Sequence, residues 1–117
     1  MHKVIIRDET IDGLNSLAAE LVFFNDGAPI IRKAEIIELN AESATLTTRQ
    51  CVFKGQNIGL NIFSLTKQCA EVFKLEEKVN GTVNIRVMAE VDTSEKIPIE
   101  ESAYKVHVSF RSHIRVF

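Results

Sequence analysis

Bond-making chemistry needs a nucleophile with a base in reach, and the chain carries candidates for both. Serines stand at Ser16, Ser43, Ser64, Ser94, Ser102, Ser109 and Ser112, thiols at Cys51 and Cys69, and imidazoles at His2, His107 and His113. No serine sits in the Gly-x-Ser-x-Gly setting that lifts a hydroxyl onto a strained turn. Cys51 with His107 is a conceivable pair that only closeness in the fold could support. The cysteine spacing fits no zinc or redox motif, so two free thiols in a reducing cytoplasm are expected. Glu76-Glu77 and Glu100-Glu101 are acidic doublets. Neighbours on a strand point to opposite faces, so a doublet does not chelate by itself. Glycines are scattered at turns and form no phosphate-cradling run. The chain is therefore expected to be no enzyme, with no metal and no resident cofactor.

Arginine placement is more informative. Arg7, Arg32, Lys33 and Arg49 fall in the first half, and Arg111 and Arg115 at the end. The planar guanidinium fork suits two-point contacts to phosphate or to a guanine edge. The whole chain nevertheless has a formal charge of −2, with 14 basic and 16 acidic residues. That balance exerts no general pull on nucleic acid or an anionic membrane.

These side chains must be positioned by a fold, and 117 residues at 45% hydrophobic suffice for one core and one domain, 1–117. No apolar run approaches the roughly 20 residues that span a bilayer, and no signal peptide is visible, so membrane insertion is not expected. Ile11, Leu14, Leu17 and Ala18 recur at helical spacing. They predict a short helix or an irregular lead-in over residues 1–19. The period then becomes two. Strands are expected at Leu21–Phe24, at Ile30–Leu39, over Ala44–Thr48 and over Ile58–Phe63. Further strands are expected at Thr82–Val91 and Tyr104–Phe110. Turns are expected at Asn25-Asp26-Gly27, Lys54-Gly55-Gln56 and Asn80-Gly81, where glycine accepts positive φ. Ser64–Phe73 fits a short helix or a loop, and Asp92–Glu101 reads as a polar loop. Short strands with a turn signal every ten or so residues predict an all-β antiparallel sandwich or closed barrel with one or two short helices.

Three stretches, Ala34–Leu46, Lys54–Leu60 and Tyr104–Phe110, resemble the PilZ domain family. Ala34–Leu46 is similar to the family's central stretch, a strand ending in Asp/Asn-x-Ser-x-x-Gly followed by Ala-x-Leu. Lys54–Leu60 is similar to its next strand, and Tyr104–Phe110 to its closing one. The resemblance implies a six-stranded barrel over residues 20–111 behind the lead-in, and a receptor for the bacterial second messenger cyclic di-GMP. It places Arg7 first in the family's Arg-x-x-x-Arg motif, with Ile11 in the second arginine's place. Glu38 stands for Asp/Asn, Asn40 for Ser and Ser43 for Gly. Each lost charge-assisted hydrogen bond removes about 1.5–3 kcal/mol. The resemblance thus implies a non-catalytic signalling adaptor with cyclic di-GMP binding weakened or lost and protein–protein interaction retained. Where ligand binding persists, Arg7, Glu38, Asn40, Ser43 and Arg32 are its expected contacts. Lys33 and Arg49 are possible substitutes for the missing arginine. The alternative is a small barrel that binds single-stranded nucleic acid by stacking bases on Phe53, Phe63 and Phe73.

Overall fold

The computed structural model describes residues 4–6, 9–11, 17–25, 27–66, 70, 73, 81–98 and 103–117. Nine strands follow in chain order: β1 Val4–Ile6, β2 Glu9–Ile11, β3 Leu17–Asn25, β4 Ala28–Leu39, β5 Ser43–Thr48, β6 Asn57–Thr66, β7 Thr82–Lys96, β8 Tyr104–Phe110 and β9 Arg115–Val116. The path β4-β3-β6-β7-β8-β5 returns to β4 through a β4–β5 ladder, which closes a six-stranded antiparallel barrel. β1 adds to β4 in parallel, β2 to β1, and β9 to β7. Among the described residues, no helix is long and apolar enough to cross a membrane.

The period-two pattern builds the core. Leu17, Ala19 and Leu21 of β3 face inward, as do Ile58, Leu60 and Ile62 of β6, Ile85, Val87, Ala89 and Val91 of β7, and Val106 and Val108 of β8. Leu60 lies between Leu21 and Val87 in the ladders and is fully buried. At Gly27 and Gly55 the backbone turns with φ of 82° and 87°. Asn25 pairs with Ala28, so the first hairpin closes over two residues.

Three irregularities reset the alternation. Ile37 is extra on β4, so Ile36 and Leu39 both point inward. Phe63 and Ser64 oppose the single Asn84, and the Ser64 N–H donates to Asn84 Oδ1 at 2.9 Å. That bond supports a serine held at φ 56°, a region few side chains enter without help. Asp92 is extra on β7. Such bulges bend a strand and strengthen its twist, as barrel closure requires.

Three expectations are corrected. The lead-in is neither helical nor irregular where described: Val4–Ile6 and Glu9–Ile11 are strands, and the barrel's first strand begins at Leu17. Leu17 and Ala18 belong to a ladder with β4, which overrides their helical spacing. The segment after Asp92 is no loop at first, because β7 passes through the bulge and runs to Lys96. The helix or loop expected over Ser64–Phe73 begins as strand, since β6 continues to Thr66; most of the remainder lies outside the described residues. So does Asn80, although Gly81 has φ 84° as its turn requires.

Leu60→Ala is expected to destabilise the barrel by about 2–5 kcal/mol in urea unfolding. Ile31→Ala, at a side chain 51% exposed, should change it by less than about 0.5 kcal/mol. Equal effects would contradict this assignment of faces.

Candidate functional site

Two sites deserve comparison: the β4–β5 hairpin, which carries most of the expected ligand residues, and a cluster on the outer face of β7 and β8. The hairpin is built by Asn40. Its Oδ1 accepts the N–H groups of Glu42 and Ser43, both at 2.9 Å, and the Ser43 hydroxyl at 3.2 Å. Its own N–H donates to the Ser43 carbonyl at 3.0 Å. An asparagine side chain that mimics a turn in this way has committed its acceptor to the chain itself. Ser43 begins β5 opposite Ser109 and is not in the left-handed region, so a side chain there meets no backbone strain. Glu38 faces outward beside Thr45 and is half-buried. Glu38, Asn40 and Ser43 are therefore brought together.

Arg7 lies outside the described residues. Its predecessor Ile6 pairs with Leu39, the predecessor of Asn40, and Ile5 pairs with Glu38. Arg32 lies apart, six residues up β4 from Glu38, or about 20 Å at strand rise. It joins Lys33 and Arg49 in a groove of about 920 Å³, whose walls also carry Glu20, Glu35 and Phe63.

On the other face, the bulge turns Asp92 toward β8. Its Oδ2 accepts from the Ser109 hydroxyl and lies 2.9 Å from His107 Nδ1. Serine, histidine and aspartate thus meet, but with the carboxylate in the middle. A nucleophilic triad needs the imidazole between acid and hydroxyl, taking the proton. Here Ser109 gives its hydrogen bond to an anion, which leaves the hydroxyl oriented away from the imidazole. The Ser109 bond holds the Asp92 carboxyl below its ordinary value of 3.8; burial pushes the other way, and the hydrogen bond and charge of His107 and the charge of Arg111 add to the lowering. Arg111 in turn meets Glu90 at 2.9 Å.

The Cys51–His107 pairing is not formed. The Cys51 thiol instead sits beside the Tyr104 hydroxyl and raises that phenol. Tyr104 and His107 lie on opposite faces of β8, since the side-chain period is two. The three phenylalanines considered for base stacking do not share a face. Phe53 is 70% exposed in the β5–β6 connection. Phe63 packs edge-on against Phe117 at 6.0 Å, and Phe73 packs against Phe110 and the core. Among the described residues, no group of three potential ligands could hold a metal ion.

Two features escaped sequence reasoning. Asp92 is one of them, because the pattern of alternation breaks at a bulge that no residue type announces. The other is the side of β4 that borders the groove. Pro29 was a legible signal there, since proline inside a strand marks an edge.

Comparison of the chain with family models, with curated proteins and with solved structures finds no match.

Two outcomes are expected here. Asn40→Ala should cost about 1 kcal/mol, through loss of the turn's hydrogen bonds; an unchanged urea midpoint would contradict the role given to Oδ1. For Asp92, a depressed native value means stabilisation that is complete above the unfolded carboxyl's value and lost as pH falls through the native one. The wild-type advantage over Asp92→Asn should hold at about pH 5 and shrink as pH falls below the carboxyl's ordinary value of 3.8. A gap that stays constant on acidification counts against the Ser109–Asp92–His107 contact.

Proposed function

We propose that this chain is a PilZ-like, non-catalytic signalling adaptor of the cytoplasm, with cyclic di-GMP binding weakened or lost and recognition of a partner protein retained. The observation that supports it is the parallel β1–β4 pairing. It brings the chain just ahead of Arg7 alongside the strand end that carries Glu38 and leads into Asn40 and Ser43. A PilZ-like receptor needs its arginine segment and its hairpin motif to converge, and a closed six-stranded antiparallel barrel is the scaffold the resemblance implies.

The hairpin's chemistry accounts for the weakening. Recognition of a guanine edge needs acceptors and donors held free for the ligand. Asn40 Oδ1 already accepts three hydrogen bonds from its own hairpin. Glu38 displaces its carboxylate by one methylene relative to aspartate, and Ile11 supplies no guanidinium. What remains is a rigid, self-satisfied hairpin, suited to presenting a surface rather than closing on a nucleotide.

Calorimetric titration of the full chain with cyclic di-GMP is expected to give no saturable heat at micromolar concentrations. The variant Ile11→Arg, Glu38→Asp, Asn40→Ser, Ser43→Gly, which restores the motif, should gain about tenfold or more in affinity per recovered charged contact. Tight wild-type binding would overturn the weakened site. A folded restored variant that stays silent would overturn the PilZ-like reading itself.

A further inference from the structure

Among the described residues, several strand segments have a ladder partner on one side only, and one of them, on β4, runs into the groove. β4 is paired with β3 from Ala28 to Ile36, but with β5 only from Ala34 onward. Among the described strands, none forms a ladder on the β5 side of Ala28–Lys33. β5 stops because the chain turns away after Thr48, whose hydroxyl oxygen accepts the Gln50 N–H at 3.1 Å. The space that a longer β5 would have filled adjoins the groove lined by Arg32, Lys33, Thr48, Arg49 and Gln50.

The backbone groups on that side follow from the hairpin. A two-residue turn makes Asn25 and Ala28 a hydrogen-bonded pair, and the pattern then alternates along the ladder. Ala28, Ile30 and Arg32 therefore bond to β3, while Pro29, Ile31 and Lys33 turn their polar groups outward. Two side-chain contacts agree with this. The Arg32 guanidinium donates to the Ile31 carbonyl at 3.0 Å, and the Thr48 hydroxyl donates to the Lys33 carbonyl at 3.0 Å. The Arg32 guanidinium is exposed and is an exchangeable partner, whereas the Thr48 hydroxyl is buried and also accepts the Gln50 N–H.

We infer that this edge of β4 takes up an extended acidic segment of a partner protein as an added strand, with Arg32, Lys33 and Arg49 pairing with its carboxylates. Main-chain hydrogen bonds supply affinity in such strand addition, and side-chain contacts supply specificity. Arg32, Lys33 and Arg49 are all exposed, so three cations border the edge against two carboxylates, Glu20 and Glu35. Ile31, 51% exposed, offers an apolar contact to alternate residues of the incoming strand. A second copy of this chain fits less well, because its own Arg32 and Lys33 would meet the same cations. A nucleic-acid strand would leave the outward amides of Ile31 and Lys33 unused.

This inference deepens the adaptor reading by giving its partner a chemistry, and it is tested apart from the hairpin. The probe is a peptide about eight residues long, enough to span a strand, in which glutamate pairs alternate with valine pairs, so that each face of the strand presents both carboxylates and apolar groups. It is titrated into the full chain and followed by backbone amide NMR. Shifts are expected at Ile31, Lys33 and Arg49. The variant Arg32→Glu, Lys33→Glu should lose about tenfold or more in affinity while keeping the wild-type urea midpoint. A lysine–valine peptide and a proline-interrupted acidic peptide should both be silent. Silence of the acidic peptide, equal response to the lysine peptide, or shifts centred elsewhere overturn the inference. So does self-association through this edge without peptide, or tighter binding of oligothymidine at the same amides. The motif-restored hairpin variant keeps the β4 edge intact, so its cyclic di-GMP response reports separately on the adaptor reading.

Discussion

Everything in this molecule depends on the β4–β5 ladder that closes the ring. A sheet of six strands has two raw edges, each a row of amide and carbonyl groups that water or another chain must satisfy. Pairing Ala34–Leu39 with Ala44–Thr48 joins those edges and buries Ile36, Leu39 and Leu46 completely. The two long strands, β4 and β7, then overrun their neighbours, and short terminal strands cover part of the overhang. β1 takes Glu38 and Leu39 beyond the point where β3 ends. The C-terminal segment takes β7 beyond the end of β8. Arg111 N–H donates to the Met88 carbonyl, Met88 N–H to Ser112 Oγ, and Phe117 N–H to the Asn84 carbonyl, while β9 pairs with Ile85 and Arg86. Arg86 then lies 4.6 Å over the Phe117 ring, which anchors that segment by a cation–π contact. On its β5 side Ala28–Lys33 is an overhang that no described strand covers, and its defences are of another kind: a proline without a donor and two cations.

Closure also explains where polar side chains gather. A ring of long strands must bend, and it bends at bulges, each of which frees one residue from the ladder and turns it. At Ile37 the result is only a corrected core. At Asp92 it is a carboxylate aimed at two outward side chains of β8, and at Ser64 a strained turn held by Asn84. The outer row Glu20, Asn61, Arg86 forms without any bulge, because ladder partners on one face stand side by side. Arg86 Nε donates to Asn61 Oδ1 at 2.9 Å, and this satisfies an amide that is nearly buried.

How much of this was legible follows from the same physics. Alternation reports one buried face, so the inward sets of β6, β7 and β8 could be read residue by residue. Gly27 and Gly55 could be read because positive φ excludes most other residues. Leu17 and Ala18 misled, since apolar residues three or four apart satisfy a helix and, two apart, a strand; the ladder with β4 decided between them. The strand beyond Asp92 was hidden because a bulge shifts the pattern by one residue, and a shifted pattern looks like its end. Pairing between distant segments is not written in local pattern at all. The meeting of Asp92 with His107 and Ser109 could not be read before the register was known, and of the unshared side of β4 only Pro29 gave a sign. For the hairpin, the family resemblance was enough to single out Glu38, Asn40 and Ser43, but not to show that Asn40 spends its oxygen on the turn.

That last point decides how the two ends of β4 divide their work. At its C-terminal end, the strand runs into a hairpin whose acceptor is already occupied by three donors of the same loop. Any ligand there must either break those bonds or use what is left. At its N-terminal end, the outward Ile31 carbonyl is held by the exposed Arg32 guanidinium, which can release it without unfolding a turn. A backbone group held by a mobile side chain is easier to recruit than one held by its own hairpin, because the displaced side chain returns to water and keeps its hydrogen bonds there. Recognition on this barrel is thus favoured at the strand's open side, and the chemistry at that side is set by the cations that also keep it from pairing with itself.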